Sequence, residues 1–283
     1  MKTCETFSVA HLNQLVVDNL HRIRALPFDV VVHIPRSGTI PASLIATYLC
    51  RPLASVEEYA RKLVGCRKSE TKKQDRVLLV DDSVRTGQQM VKAIDRIRAE
   101  RPDTQIATLS VYLSNDLRGQ RRVVTPDISL HEHGDGFYMF PWFMWKTPRL
   151  EHVAVDMDGV LCRDATKAED DDGPAYVQFL RRAEPKFRPL DFKVGWIVTG
   201  RLERYRAETE DWLGARGVNF GRLIMGPWKM KDERRGKAAS WKGEVYRDLP
   251  AKLFIESSER EAQTIAAVSG KTVFSVESGR PHG

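Results

Sequence analysis

The stretch Val77–Gly87, Val-Leu-Leu-Val-Asp-Asp-Ser-Val-Arg-Thr-Gly, constrains this chain more than any other. Its four leading apolar residues, two of them β-branched, predict a buried strand. Asp81 and Asp82 follow, then Ser83, Val84, Arg85, Thr86 and Gly87. Met90, Val91, Ile94 and Ile97 then recur at helical spacing. A strand, a polar loop and a helix in that order can aim several backbone N–H groups at one point. That point lies at the positive end of the helix dipole, where a phosphate fits. Gly87 permits close backbone approach, and the two hydroxyls add donors. The paired acids suit sugar hydroxyls or a bridging metal. A ribose 5-phosphate satisfies the whole pattern; a turn capped by Asp or Ser is the plainer alternative.

A second unit of this kind precedes it. Asp29–Ile34 reads as a strand, Pro35-Arg36-Ser37-Gly38 as a loop, and Ala42–Tyr48 as a helix, after a helical pattern over Val9–Arg24. Together the two loops resemble type I phosphoribosyltransferases. In that family the acidic loop holds the 5′-phosphate and ribose of phosphoribosyl diphosphate (PRPP). An earlier loop, often with a non-proline cis peptide, holds the diphosphate. The resemblance implies PRPP contacts from Arg36, Ser37, Gly38, Asp81, Asp82, Ser83, Val84, Arg85, Thr86 and Gly87, with Asp81 and Asp82 catalytic. Glu57–Asp75, rich in Lys and Arg, is either a solvated basic loop or the family's mobile lid. Gln105–Leu113 and Asp127–Leu130 read as further strands. His131–Trp145 holds two histidines and six aromatics. An interdomain seam, a metal at the histidines, or base stacking by Phe137 or Tyr138 are its alternative readings.

The second half carries a different motif. Val153–Val155 predicts a strand that ends in Asp156-Met157-Asp158-Gly159-Val160-Leu161. Residues i and i+2 of an extended segment point the same way, so one carboxylate can attack phosphorus while the other handles a proton. Lys193–Val198 is a strand ending in Thr199-Gly200-Arg201. Lys252–Ile255 is a strand ending in Glu256, with Glu259 beyond it. These motifs, in this order, resemble the haloacid dehalogenase (HAD) superfamily. The resemblance implies Asp156 as nucleophile, Asp158 as general acid, and Thr199 and a lysine on the phosphoryl oxygens. Lys242 is the first choice for that lysine and Lys237 its rival. Mg2+ would sit on Asp156, Asp158 and Glu256. Helices are expected at Leu202–Leu213 and Ala262–Val268, and strands at Leu223–Met225 and Lys271–Val276. The acidic insert Arg163–Pro174 reads as a solvated loop, too short for a cap domain.

The expected architecture is α/β: two Rossmann-like domains, each a mainly parallel sheet flanked by helices. Residues 1–147 form the phosphoribosyltransferase-like domain, Lys146–Glu151 the linker, and residues 148–283 the HAD-like domain. At 283 residues the chain has the length for two domains. The formal charge of +7 and pI near 9.2 suit phosphorylated substrates. Four scattered cysteines without a C-x-x-C spacing point to a reducing compartment and against zinc. No run is long and apolar enough to cross a membrane, and no secretory signal is visible, so a cytoplasmic enzyme is expected. Expected partners are PRPP, a nitrogen base and a nucleotide-like phosphomonoester. Nucleic acid and membrane are set aside, and a homodimer is left open. One enzyme would build a nucleotide and trim it to a nucleoside. A PRPP-sensing domain regulating the phosphatase, or a phosphatase acting on nucleic-acid ends, are the alternatives.

Overall fold

The computed structural model describes residues 5–64, 75–134, 136–186 and 192–283. Two compact units emerge: Val9–Gly136, and Phe137–Gly283 joined by the residues up to Ser8. The second unit recruits the start of the chain because strand β1 (Glu5–Thr6) pairs in parallel with Tyr138–Met139. Phe7 also packs on Phe140, with ring centroids 5.4 Å apart. The aromatic run therefore packs within the second unit. The expected linker is also ordered differently. Pro148 opens a 3-10 helix, Pro148–His152, a position where its missing N–H costs nothing.

In the first unit, α1 (Val9–Asp18) and α2 (Leu20–Arg24) replace the single expected helix. The break falls at Asn19, whose side-chain amide donates to the Leu15 carbonyl at 2.9 Å. The strands are β2 (Val30–His33), β3 (Leu53–Ser55), β4 (Arg76–Val84), β5 (Gln105–Ser114) and β6 (Ile128–His133). They form an all-parallel sheet in the order β3-β2-β4-β5-β6. Helices α3 (Thr39–Tyr48), α4 (Val56–Ala60) and α5 (Gln88–Glu100) connect them. Val77–Val80 are fully buried, as a central parallel strand requires. β4 does not stop before the acids; it runs through them to Val84, pairing Asp81 with Ser110 and Ser83 with Tyr112. The acidic loop thus shrinks to Arg85–Gly87. His131 and His133, expected beyond a strand, lie on β6 itself. Part of the expected lid is helix: Ser55 and Glu58 close a capping box at the start of α4. Residues 65–74, with Arg67, Lys68, Lys72 and Lys73, lie outside the described residues.

In the second unit, β7 (Tyr138–Met139) precedes a sheet built from six strands. These are β8 (Val153–Val155), β9 (Val194–Leu202), β10 (Phe220–Gly226), β11 (Leu253–Glu256), β12 (Val273–Ser275) and β13 (Arg280–His282). The order is β10-β9-β8-β11-β12-β13, parallel except for β13. The helices are α6 (Pro174–Arg182), α7 (Arg206–Ala215), α8 (Lys231–Arg234), α9 (Ala238–Asp248) and α10 (Glu259–Ser269). One sheet face packs Val155 and Ile197 with Phe179, Leu180, Trp212 and Leu213. The other packs Ala154, Val198 and Phe254 with Tyr246, Ala262 and Ile265. Burying each of these large side chains contributes roughly 1.5–3 kcal/mol. α7 starts later than expected because β9 continues to Leu202 and a 3-10 turn, Glu203–Tyr205, intervenes. β13 was not expected; its Pro281 is tolerated because the strand lies at the sheet edge. Both units are thus parallel sheets flanked by helices, the expected fold class. Among the described residues no helix is long and apolar enough to cross a membrane.

Candidate active sites

In the first unit the two loops meet at the carboxyl ends of β2 and β4. Gly38 is seated where no side chain fits: an added Cβ would stand 2.5 Å from the Ile34 carbonyl and 2.8 Å from that of Val80. This close approach sets Pro35–Gly38 beside Asp81. The Pro35–Arg36 bond is cis, and Arg36 is exposed. Asp81 and Asp82 are both buried, and the Asp82 N–H donates to Asp81 Oδ1 at 3.0 Å. Burial and the neighbouring Asp82 carboxylate push Asp81 up to about 8. Gly87, with φ of 83°, is the residue before α5, and no side chain caps that helix start. The Asp or Ser cap that sequence leaves open is therefore not made. The first N–H groups of α5 therefore have no side-chain cap, and Val124 packs against Gly87, where an added Cβ would meet its Cγ1 at 2.5 Å. Arg122, which sequence reading did not select, holds the loop by donating from Nε to the Arg85 carbonyl at 3.1 Å.

In the second unit, Asp156 and Asp158 follow β8, Thr199 lies in the last half of β9 and Glu256 ends β11, on neighbouring strands, and Lys242 reaches Asp156 and Glu256 from α9. The buried Lys242 ammonium lies 2.9 Å from Asp156 Oδ2, 2.9 Å from Glu256 Oε2 and 3.3 Å from Glu261 Oε2. Lys237, its rival, is exposed at the start of α9. Burial and the Glu256 carboxylate drive the Asp156 carboxyl well up, against the pull of Lys242. Burial also works against the charge on Lys242, but Asp156, Glu256 and Glu261 outweigh it and raise its pKa. Gly159 has φ of 76°, and a Cβ there would meet the Ser257 Cβ at 2.5 Å. Only glycine lets the chain turn past β11 at this point.

Asp158 is placed differently from its expected roles as acid and metal ligand. Both its oxygens go to Arg201, whose Nε lies 3.0 Å from Oδ2 and whose Nη2 lies 2.6 Å from Oδ1. Burial would raise Asp158, but the Arg201 ion pair overrides it and holds the carboxyl below its usual range. Arg201 is fully buried. It lies two residues past Thr199 on β9, and its role comes from Asp158, 43 residues earlier in the chain. Glu259 turns away toward His282, 3.7 Å distant, so Glu261 is the second acid at the pocket.

The acidic insert is an irregular loop with Asp164 and Asp171 exposed, as expected, but several of its acids are tied down. Glu169 forms a two-pronged pair with Arg163, at 2.8 and 2.5 Å. Asp171 accepts from the N–H groups of Gly173 and Tyr176, each at 2.9 Å, and so starts α6. Asp164 and Asp170 line a cavity of about 350 Å³ over Asp156, with Tyr176, Phe179, Arg234 and Arg235.

Four carboxylates, Asp156, Asp158, Glu256 and Glu261, face two cations, Lys242 and Arg201, so the pocket floor is net negative. Among the described residues no group of three or more acids, histidines or cysteines is arranged to hold a metal. Magnesium, however, is commonly bound through one or two carboxylates with water and substrate phosphate completing its shell. Asp156 and Glu256 are hard oxygen donors that fit that pattern while sharing the Lys242 ammonium through one oxygen each; Asp158 has both oxygens on Arg201 and does not.

No protein-family model matches the chain, and no curated protein matches it in sequence. Solved structures match over about half of it. The purine phosphoribosyltransferase from Pyrococcus horikoshii is 18% identical with a TM-score of 0.37, covering 49% of this chain and 93% of that one. The xanthine-guanine-hypoxanthine phosphoribosyltransferase of Helicobacter pylori is 12% identical with a TM-score of 0.38, covering 49% and 92%. A hypothetical protein from Neisseria gonorrhoeae, solved with bound ppGpp, is 16% identical with a TM-score of 0.38, covering 50% and 90%. Likeness of this order carries nothing about activity.

Proposed function

We propose that the chain is a bifunctional enzyme of nucleotide metabolism. The first unit transfers ribose 5-phosphate from PRPP to a nitrogen base, and the second hydrolyses a phosphomonoester through an aspartyl-phosphate. The observation that carries the second activity is the Lys242 ammonium, held between Asp156 and Glu256 at the ends of two neighbouring strands.

In the first unit, the α5 N–H groups with Ser83 and Thr86 would take the 5′-phosphate. Asp81 and Asp82 would hydrogen-bond the ribose hydroxyls, and Asp81, once ionised, would favour the positive charge that develops on the ring. Arg36 would face the diphosphate. In the second unit, Asp156 attacks phosphorus and Thr199 and Lys242 hold the phosphoryl oxygens. Phosphoryl transfer is mainly positioning and charge neutralisation, so losing one of these groups is severe. Asp158, ionised on Arg201, is better suited to activating water for the second step than to protonating a leaving group, so in the first step the departing ester oxygen would take its proton from water at the open cavity. Bound Mg2+ would neutralise phosphoryl charge and keep the Asp156 carboxylate ionised.

The test is phosphate release with Mg2+ from a panel of nucleoside 5′-monophosphates, on wild type and Asp156→Asn. Release abolished by the substitution supports the phosphatase, and the preferred base names the acceptor to try with PRPP. No release from any nucleotide removes the coupled route.

A further inference from the structure

The mouth of the Asp156 cavity differs from its floor. Arg234, the last residue of α8, and Arg235, in the turn to α9, close one side of it. Gly236, with φ of 71°, lets that turn reverse. Arg234 is tied in place: Nη1 donates to the Gly200 carbonyl at 3.2 Å, next to Thr199. Asp170 pairs with Lys231 at 2.7 Å and lies 4.0 Å from Arg234 Nη2, so one carboxylate is shared between two cations and the cluster keeps a positive excess. A second, outer cavity of about 390 Å³ is lined by Asp170, Lys231, Asp232, Arg234 and Arg235, and so shares three residues with the inner one. Among the described residues the exposed Arg235 side chain has no partner. The arrangement is an acidic floor that calls for a cation and a phosphoryl group, with an arginine pair beyond it.

From this juxtaposition we infer a second anion subsite at Arg234 and Arg235, which selects phosphomonoesters whose leaving group carries a further anionic group, a carboxylate or a second phosphate. The inference rests on the phosphatase reading above. Arginine presents a planar fork of donors suited to either anion. The inner cavity lies in the size range of small-molecule sites, so a phosphoryl group and part of its ester fit inside while the far anion reaches the mouth.

The experiment compares three substrates built on one nucleoside: uridine 5′-monophosphate, orotidine 5′-monophosphate and uridine 3′,5′-bisphosphate. The first has no second anion, the second adds a carboxylate to the base, and the third adds a phosphate. The expected result is a kcat/KM about tenfold higher for at least one of the two substrates with a second anionic group than for uridine 5′-monophosphate, a step of about 1.4 kcal/mol. Which one responds tells carboxylate from phosphate. Arg235→Gln should bring the ratio close to one, and Arg235→Lys should restore part of it. Arg235 is exposed, so both variants are expected to fold, and thermal melts check this. Equal kcat/KM for all three substrates in the wild type overturns the subsite while leaving the phosphatase standing. So does a preference that survives Arg235→Gln. Absence of turnover with these and with p-nitrophenyl phosphate overturns the phosphatase reading and the subsite with it.

Discussion

Gly38 rests against the backbone of Asp81: a Cβ added to the glycine would stand 3.2 Å from the Asp81 Cα. The loop proposed for diphosphate and the strand end proposed for ribose are therefore in direct backbone contact. Neither can be repositioned without the other.

Gly38→Ala should accordingly separate the two elements. The methyl group meets backbone oxygens at 2.5 and 2.8 Å, which cannot swing aside as a side chain could. Overpacking of this kind costs about 1–3 kcal/mol. PRPP binding, followed by calorimetric titration with Mg2+, should be lost, while phosphate release by the second unit persists. Unchanged PRPP affinity would argue against a shared site.

Asp81 predicts a pH dependence. Its carboxyl rises from 3.8 in the unfolded chain to about 8, through burial first and Asp82 second. Between those values the folded state binds the extra proton, so the contribution is fully present below about 3.8 and lost as pH rises through about 8. Amide exchange in β4 and β5, corrected for intrinsic rates, should show local stability falling from pH 5 to pH 8. Asp81→Asn should flatten that trend. A slope that survives the substitution would mean another group is responsible.

Both acidic strand ends could be read from the sequence, because an apolar β-branched run followed by paired acids is a local pattern. Gly38, Gly87 and Gly159 stood out for the same reason. What escaped was set by pairing across the fold. β4 runs on to Val84 because Ser83 and Val84 find ladder partners in Tyr112 and Leu113, which lie far away in sequence. The ion pairs of the exposed acidic insert escaped because its partners, Arg163, Arg204 and Lys231, are split between its own edge and distant segments. Arg201 and Glu261 were missed likewise: each gains meaning from a carboxylate or an ammonium on another strand or helix.

Arg201→Met tests the buried pair with Asp158. Removing one partner leaves a largely desolvated charge, a loss of about 3–5 kcal/mol. The melting temperature should fall markedly, and phosphate release should fall with it. Adding Asp158→Asn to Arg201→Met should recover part of the stability and none of the activity. Recovery of activity in the double variant would mean that Asp158 has no part in the chemistry.

Lys242→Met addresses the centre of the phosphatase site. The lysine contributes stability that is fully present below its ordinary 10.5 and lost only as pH rises through its higher folded value. The wild-type pH–rate profile should therefore show no lysine limb below about pH 10. Without the ammonium, Asp156 and Glu256 face each other with nothing between them, and Asp156 is pushed further toward its protonated form. A neutral carboxyl is a poor nucleophile, and the phosphoryl oxygens lose a donor, so kcat should fall by roughly 10²–10³. Protonation relieves the repulsion, so the variant should be less destabilised at pH 5 than at pH 8. Melting curves at both values, beside phosphate-release assays with excess Mg2+, make the comparison. A variant equally destabilised at both, yet still active, would place the phosphoryl-binding cation elsewhere, with Lys237 the next residue to substitute.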